Sequence, residues 1–418
     1  MTGSRSVQNY HVEEVPAPWS LTARWIFPIS QPPIPHGTLV IHGDRIFAVE
    51  DHRRSQIDLD LGDVVVLPGF VNAHTHLDLT GLHKKCPPSP DFTGWLRQVI
   101  AHRISQTREE VEADIREGVR QCLAAGTTTV GDITAKGWSL KTLSENPIRA
   151  TVFYELLGLT EERAEQAWAT ALEWLRTHHN TETSRLGLSP HAPYSVRNTL
   201  FRQIAEYCRA ASPLSPIAVA THFIESVGEV ELLDHQTGPF REFLQDLGVW
   251  DPNGLVESPQ ELIQTLAGCL TLFVHTNYLS SDIPISKDAT IVYCPRTHAA
   301  FGHRGHSFRE FLNRGVRVAL GTDGLSSNPD LSILEEIRWL RREQPDVAGD
   351  QLFRMATLSG AEALGWGSEC GSLCPGKSAD LVIVPIRSAK TSDPHEAILQ
   401  GTEPPWKTLF CGQWTHHG

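Results

Sequence analysis

His74 and His76 stand two residues apart in Pro68-Gly-Phe-Val-Asn-Ala-His-Thr-His76, just after the apolar run Val64–Leu67. Residues i and i+2 of a β-strand face the same side, so the two imidazoles can converge on one point. Neutral imidazoles at that spacing suit a borderline cation such as Zn²⁺ or Fe²⁺. The chain holds 20 histidines, so a strand that merely carries two of them is the plain alternative. Further donors stand where other strands should end. These are His191 in Ser189-Pro-His-Ala-Pro-Tyr194, His222 in Thr221-His-Phe-Ile-Glu225, His275 in Val274-His-Thr-Asn277 and Asp323 in Gly321-Thr-Asp-Gly324. A random scatter of histidine would populate helices and strand beginnings as well, so this bias favours a metal site.

The elements that must position these donors alternate strand and helix. Strand-like runs are expected at 64–72, 127–133, 150–157, 185–189, 217–222, 269–275, 290–294 and 317–321. Thr107-Arg-Glu-Glu110 has the capping-box pattern for a helix that ends before Gly126. Thr160, followed by Glu161 and Glu162, opens another helix toward His178, with acidic residues at the favourable end of its dipole. Helical patterns recur at 195–211, 307–313 and 331–342. Eight strands with intervening helices predict an α/β fold, a (β/α)8 TIM-type barrel whose chemistry sits at the C-terminal strand ends. A doubly wound sheet would carry a Gly-rich phosphate turn after its first strand, and none is present. Both ends of the chain read as short strands and turns, so they are expected to pair into one small β-sandwich domain. The expected division is 1–63 and 369–418 for that domain and 64–368 for the barrel.

The 418 residues are 40% hydrophobic and 20% charged, an ordinary globular balance. A formal net charge of −13, with no basic run, argues against a nucleic-acid partner. Residues 1–14 are polar and lack the apolar core of a signal peptide, and no stretch is long enough to span a bilayer. The eight cysteines form no disulfide pattern, so the cytoplasm is the expected compartment. Cys370 and Cys374 are too isolated for a zinc knuckle.

Together these motifs resemble the amidohydrolase superfamily, in its branch of aminohydrolases acting on nitrogen heterocycles. The resemblance rests on Pro68 to His76, His191-Ala-Pro-Tyr194, His222-x-x-Glu225, His275, Cys294-Pro-Arg296, Gly321-Thr-Asp-Gly324 and the return Gly371 to Leu381. It implies that His74, His76, His222 and Asp323 bind one divalent metal, Zn²⁺ first, with Fe²⁺ or Mn²⁺ fitting the same donors. Such a cation lowers the pKa of a bound water toward neutrality. It further implies that Asp323 accepts a proton, that His275 orients the nucleophile and that Glu225 carries the proton to the ring nitrogen and the departing amine. His222 and Glu225 are three apart, so the chain must turn directly after His222. The binuclear variant needs a carbamylated lysine ending the fourth strand; 186–191 has none, and Lys136 follows the second strand.

Other residues are open to two readings. His191 and Tyr194 can read substrate or hold a loop. Arg296, with His298 and His303, can read substrate or brace its loop, and Cys294 can simply pack. Asp78 can face the pocket or tie down the first loop. The resemblance implies hydrolytic deamination of a small amino-substituted heterocycle. His191-Ala-Pro-Tyr194 resembles adenosine-type nucleoside deaminases, and Phe92-Thr-Gly-Trp-Leu96 with Cys294-Pro-Arg-Thr-His298 resembles aminodeoxyfutalosine deaminases. Ring opening or dehalogenation at the same site is the rival chemistry, and a non-catalytic relative the third reading. A homodimer is common among such barrels.

Overall fold

Eight parallel strands follow one another in chain order around a barrel. They are β1 (Phe70–Thr75), β2 (Thr127–Thr134), β3 (Arg149–Leu156), β4 (Ser184–Pro190), β5 (Ala218–Phe223), β6 (Thr271–His275), β7 (Ala289–Tyr293) and β8 (Arg317–Leu320). The computed structural model describes residues 17–211, 216–386 and 391–415; the polar segment 1–14 lies outside them. The barrel closes where Thr75 bridges Asp323 in parallel and the Thr322 and Asp323 N–H groups both donate to the His74 carbonyl at 3.1 Å. That closure places the ends of β1 and β8 side by side. The TIM-type barrel expected from the strand–helix alternation is therefore present.

The terminal strands pair as expected, in two sheets that share one buried cluster including Leu21, Ile41, Val66, Leu381 and Leu409. A four-stranded sheet holds Trp19–Thr22 and Thr38–His42, and a six-stranded sheet holds Leu381–Pro385 and Lys407–Phe410. One expectation fails at the junction. The run 64–72 is two strands, not one: Val64–Pro68 pairs antiparallel with Leu381–Pro385 in the six-stranded sheet, and β1 begins only at Phe70. Gly69 is the crossing point, where an added Cβ would lie 2.0 Å from Thr128 Oγ1, so only glycine fits. An apolar run bounded by polar residues cannot reveal which of two sheets claims each half.

Thr107 caps its helix α2 (Arg108–Ala124), with Glu110 Oε2 accepting the Thr107 N–H at 2.8 Å. An unexpected helix, α1 (Phe92–Ser105), precedes it and crosses the mouth of the barrel. Among the described residues no helix is long and apolar enough to cross a membrane.

Candidate metal centre and active site

β1 delivers His74 and, one step past its end, His76; β5 delivers His222; the turn after β8 delivers Asp323. The Nε2 atoms of His76 and His222 lie 3.2 Å apart. Asp323 Oδ1 is 3.5 Å from both His74 Nε2 and His76 Nε2. Ligand atoms of His74, His76 and His222 fall within 4.8 Å of one another, as do those of His74, His275 and Asp323. All five side chains are buried.

The donors suit one divalent cation. His222 Nδ1 donates to the His191 carbonyl at 3.0 Å, which leaves the lone pair of its Nε2 pointing into the cluster. Both ring nitrogens of His74 are buried without a hydrogen-bond partner, and a cation in the cluster would satisfy Nε2, the one that faces Asp323. Burial, then the neighbouring histidines His191 and His74, push His222 down to about 3. Burial and His74 lower His76 in the same way. Both rings are therefore neutral, the form that ligates. Burial pushes the Asp323 carboxyl up, but His74, His76 and His275 outweigh it and hold the group well below the usual carboxylate range. Three imidazoles and one carboxylate make a borderline N/O donor set. β4 carries no lysine to bridge a second ion, and Lys136 lies 5.2 Å over the Trp138 ring instead.

Beside the cluster, Glu225 Oε1 and His275 Nε2 are 3.5 Å apart. The turn demanded by the His222–Glu225 spacing is present, with Ile224 at φ 51°. Glu229 holds it: its Oε1 accepts the Ile224 N–H at 3.0 Å and its Oε2 the Glu225 N–H at 2.8 Å. Asn277 Nδ2 bonds the Glu225 carbonyl at 2.9 Å. Burial, then Asp323 and Glu229, raise Glu225 well above the ordinary range. Burial thus raises one of two nearby carboxyls while histidine neighbours lower the other, an arrangement suited to acid–base chemistry.

A cavity of about 370 Å³ opens beside this centre. His191, Tyr194, Arg103 and Glu155 line its polar end, and Leu96, Val99, Ile100, Leu157, Leu244 and Leu247 its apolar wall. His191 packs against His222, ring centroids 4.9 Å apart, and its Nδ1 is 2.7 Å from Ser195 Oγ. Tyr194 is buried against Phe240, centroids 4.3 Å apart.

Two expected substrate contacts are otherwise engaged. Arg296 Nε and Nη2 bond Glu336 Oε1 at 2.7 Å and Asp330 Oδ1 at 2.6 Å, the bracing alternative. Asp78 is buried and pairs with Arg103 Nη2 at 3.1 Å, which ties down the first loop. In both cases a buried charge takes the nearest opposite charge, because leaving it unpaired is costly.

Sequence reasoning missed Arg103, which also bonds Glu155 at 3.0 Å and lies 3.3 Å from His76 Nδ1. The signal was available: Phe92, Trp95, Leu96, Val99, Ile100 and Arg103 share one face at helical spacing. Glu229 was also readable, as the fourth residue of a Ser226-x-x-Glu229 capping pattern.

Known proteins share this architecture. A 5-methylthioadenosine/S-adenosylhomocysteine deaminase of Moorella thermoacetica is 29% identical over 392 residues, covering 89% of this chain and 86% of that protein. The crystal structure of Helicobacter pylori aminofutalosine deaminase with methylthio-coformycin superposes at TM-score 0.82 and 24% identity, covering 95% of this chain and all of that one. A Xanthomonas campestris adenosine deaminase with bound zinc superposes at TM-score 0.77 and 21% identity, over 95% and 92% of the two chains. The model of the amidohydrolase family matches residues 65–415, most of the chain. With that match and the His74/His76/His222/Asp323 cluster inside it, the chain belongs to the amidohydrolase family.

Proposed function

We propose that this protein is a metal-dependent hydrolytic deaminase that releases ammonia from an amino-substituted nitrogen heterocycle of the adenosine-nucleoside type. The observation that carries the reading is geometric: Glu225 Oε1 stands 3.5 Å from His275 Nε2, whose ring joins His74 and Asp323 in the buried donor cluster. His74, His76, His222 and Asp323 would hold the cation, for which we propose Zn²⁺. When bound it supplies Lewis-acid activation of a water nucleophile.

The chain's own residues account for the rest. Asp323 accepts the proton released as water adds to the ring carbon that bears the amine. His275 orients that water by hydrogen bonding. Glu225, whose carboxyl burial raises, gives its proton to the ring nitrogen. As the C–N bond breaks, the proton taken up by Asp323 passes through Glu225 to the departing amine, the hydroxyl proton of the adduct reprotonates Glu225, and ammonia leaves with the carbonyl formed behind it. His191 and Tyr194 would contact the heterocycle at the polar end of the cavity, and the aliphatic wall would cover its substituent. The name of the Moorella thermoacetica relative, a deaminase of adenosine-type compounds, supports the same reading.

The test offers zinc-loaded protein adenosine, methylthioadenosine, adenosylhomocysteine and aminodeoxyfutalosine, and measures ammonia. Release from at least one is expected. Silence on all four removes the nucleoside reading.

A further inference from the structure

His275 sits in a backbone conformation that an L-residue with a large side chain avoids. Its φ is 69°, and that of the next residue, Thr276, is 56°. The Thr276 N–H donates to the Phe223 carbonyl at 2.8 Å and also reaches back to the Val274 carbonyl at 3.0 Å, so Val274-His275-Thr276 forms a γ-turn tied to the end of β5. γ-Turns with positive central φ are rare and strained, and a β-branched residue at positive φ adds to the cost. Such a residue persists only where its surroundings hold it.

Besides that bond to β5 and the Thr276 hydroxyl, which donates to the His275 carbonyl at 2.7 Å, a side-chain hold comes from the loop after the helix Pro295–Ala300. His306 Nε2 is 2.7 Å from the His275 carbonyl oxygen and 3.3 Å from Thr276 Oγ1. A carbonyl only accepts, so the His306 hydrogen is on Nε2, and Nδ1 is left buried without a partner. The ring is fixed from the other side by Tyr293, stacked at 4.0 Å between centroids and 21° between planes. His306 thus donates to the carbonyl of the residue whose own ring faces Glu225 at 3.5 Å.

We propose that His306 is a positioning residue for the reaction: its Nε2–H locks the γ-turn that aims the His275 ring at Glu225 and Asp323. Its effect on turnover rests on the deaminase reading above; its effect on the turn does not. His306 touches neither the proposed metal ligands nor the cavity lining, so its loss should act on catalysis through geometry alone.

His306→Phe keeps a ring against Tyr293 and removes the donor, whereas His306→Gln can place an amide N–H where Nε2 was. Crystal structures, bound-metal content and steady-state kinetics are compared with the parent. For His306→Phe we expect unchanged metal content, φ at His275 relaxed to negative values, and the His275 ring displaced by about 1 Å or more. We expect kcat lowered ~10- to ~100-fold with KM within about twofold, the scale of loss for a misplaced catalytic group. His306→Gln should keep the turn and most of kcat. A His306→Phe protein with the γ-turn and His275 unmoved overturns the proposal, and so does a moved His275 with kcat unchanged. If the parent itself releases no ammonia, the functional reading fails, and the crystal structures alone decide whether His306 holds the turn.

Discussion

The Nε2 atoms of His76 and His222 face each other at 3.2 Å in a buried site, and the proton of His222 is already committed to the His191 carbonyl. A cation that accepts both lone pairs resolves the arrangement, and its binding energy adds to folding. Thermal unfolding with and without a chelator checks this. Stripped protein should unfold at a lower temperature, and added Zn²⁺ should restore the parent transition. At free metal about 1,000-fold above Kd the gain is about 4 kcal/mol. Identical transitions in the two samples would contradict a native metal site.

Glu225 is the proton carrier of the account. Glu225→Gln removes the exchangeable acid while its main-chain N–H can still bond Glu229. kcat should fall by ~10²- to ~10⁴-fold with bound metal unchanged. Loss of metal along with activity would instead assign Glu225 to the coordination sphere.

Asp132 at the end of β2 accepts the Leu77 N–H at 2.9 Å and so pins the chain just past His76. Burial pushes its carboxyl up to about 7, despite that bond. An acid raised on folding holds its proton more tightly folded than unfolded. Its contribution is therefore most favourable below about pH 4 and is lost as pH rises toward 7. Asp132→Asn cannot titrate, so the variant's stability relative to the parent should rise between pH 4 and 7 by on the order of 2–4 kcal/mol. Urea unfolding at pH 4.5 and pH 8 measures the difference. A gap that is flat with pH would show that Asp132 is not raised.

Arg296 braces the β7–β8 side of the mouth through Glu336, which is fully buried. Arg296→Met strands that carboxylate, and the expected cost is about 3–5 kcal/mol of stability. At a temperature where the variant is folded, KM should stay within about threefold of the parent. A raised KM without loss of stability would return Arg296 to the role of substrate reader.

Much of the site was legible because its donors sit at strand ends, where period-2 geometry and barrel topology fix their direction. His74, His76 and His222 needed no side-chain packing to be placed together. The β1 boundary was not legible, since the apolar run of Val64–Pro68 continues into Phe70 and Val71 of β1 and only the pairing with Leu381–Pro385 separates them. Arg296 and Asp78 were ambiguous for another reason. Their roles depend on which opposite charge lies nearest in space, and Asp330, Glu336 and Arg103 are all remote from them in sequence. His306 gave no signal, because the strain it offsets exists only in the folded backbone.

The central claim is one cation shared by residues from three separate strand ends. Anomalous diffraction from crystals of zinc-loaded protein, collected on both sides of the zinc edge, tests it directly. One peak is predicted, about 2.0–2.2 Å from His74, His76, His222 and Asp323. A peak elsewhere, or none among those four side chains, would contradict the account.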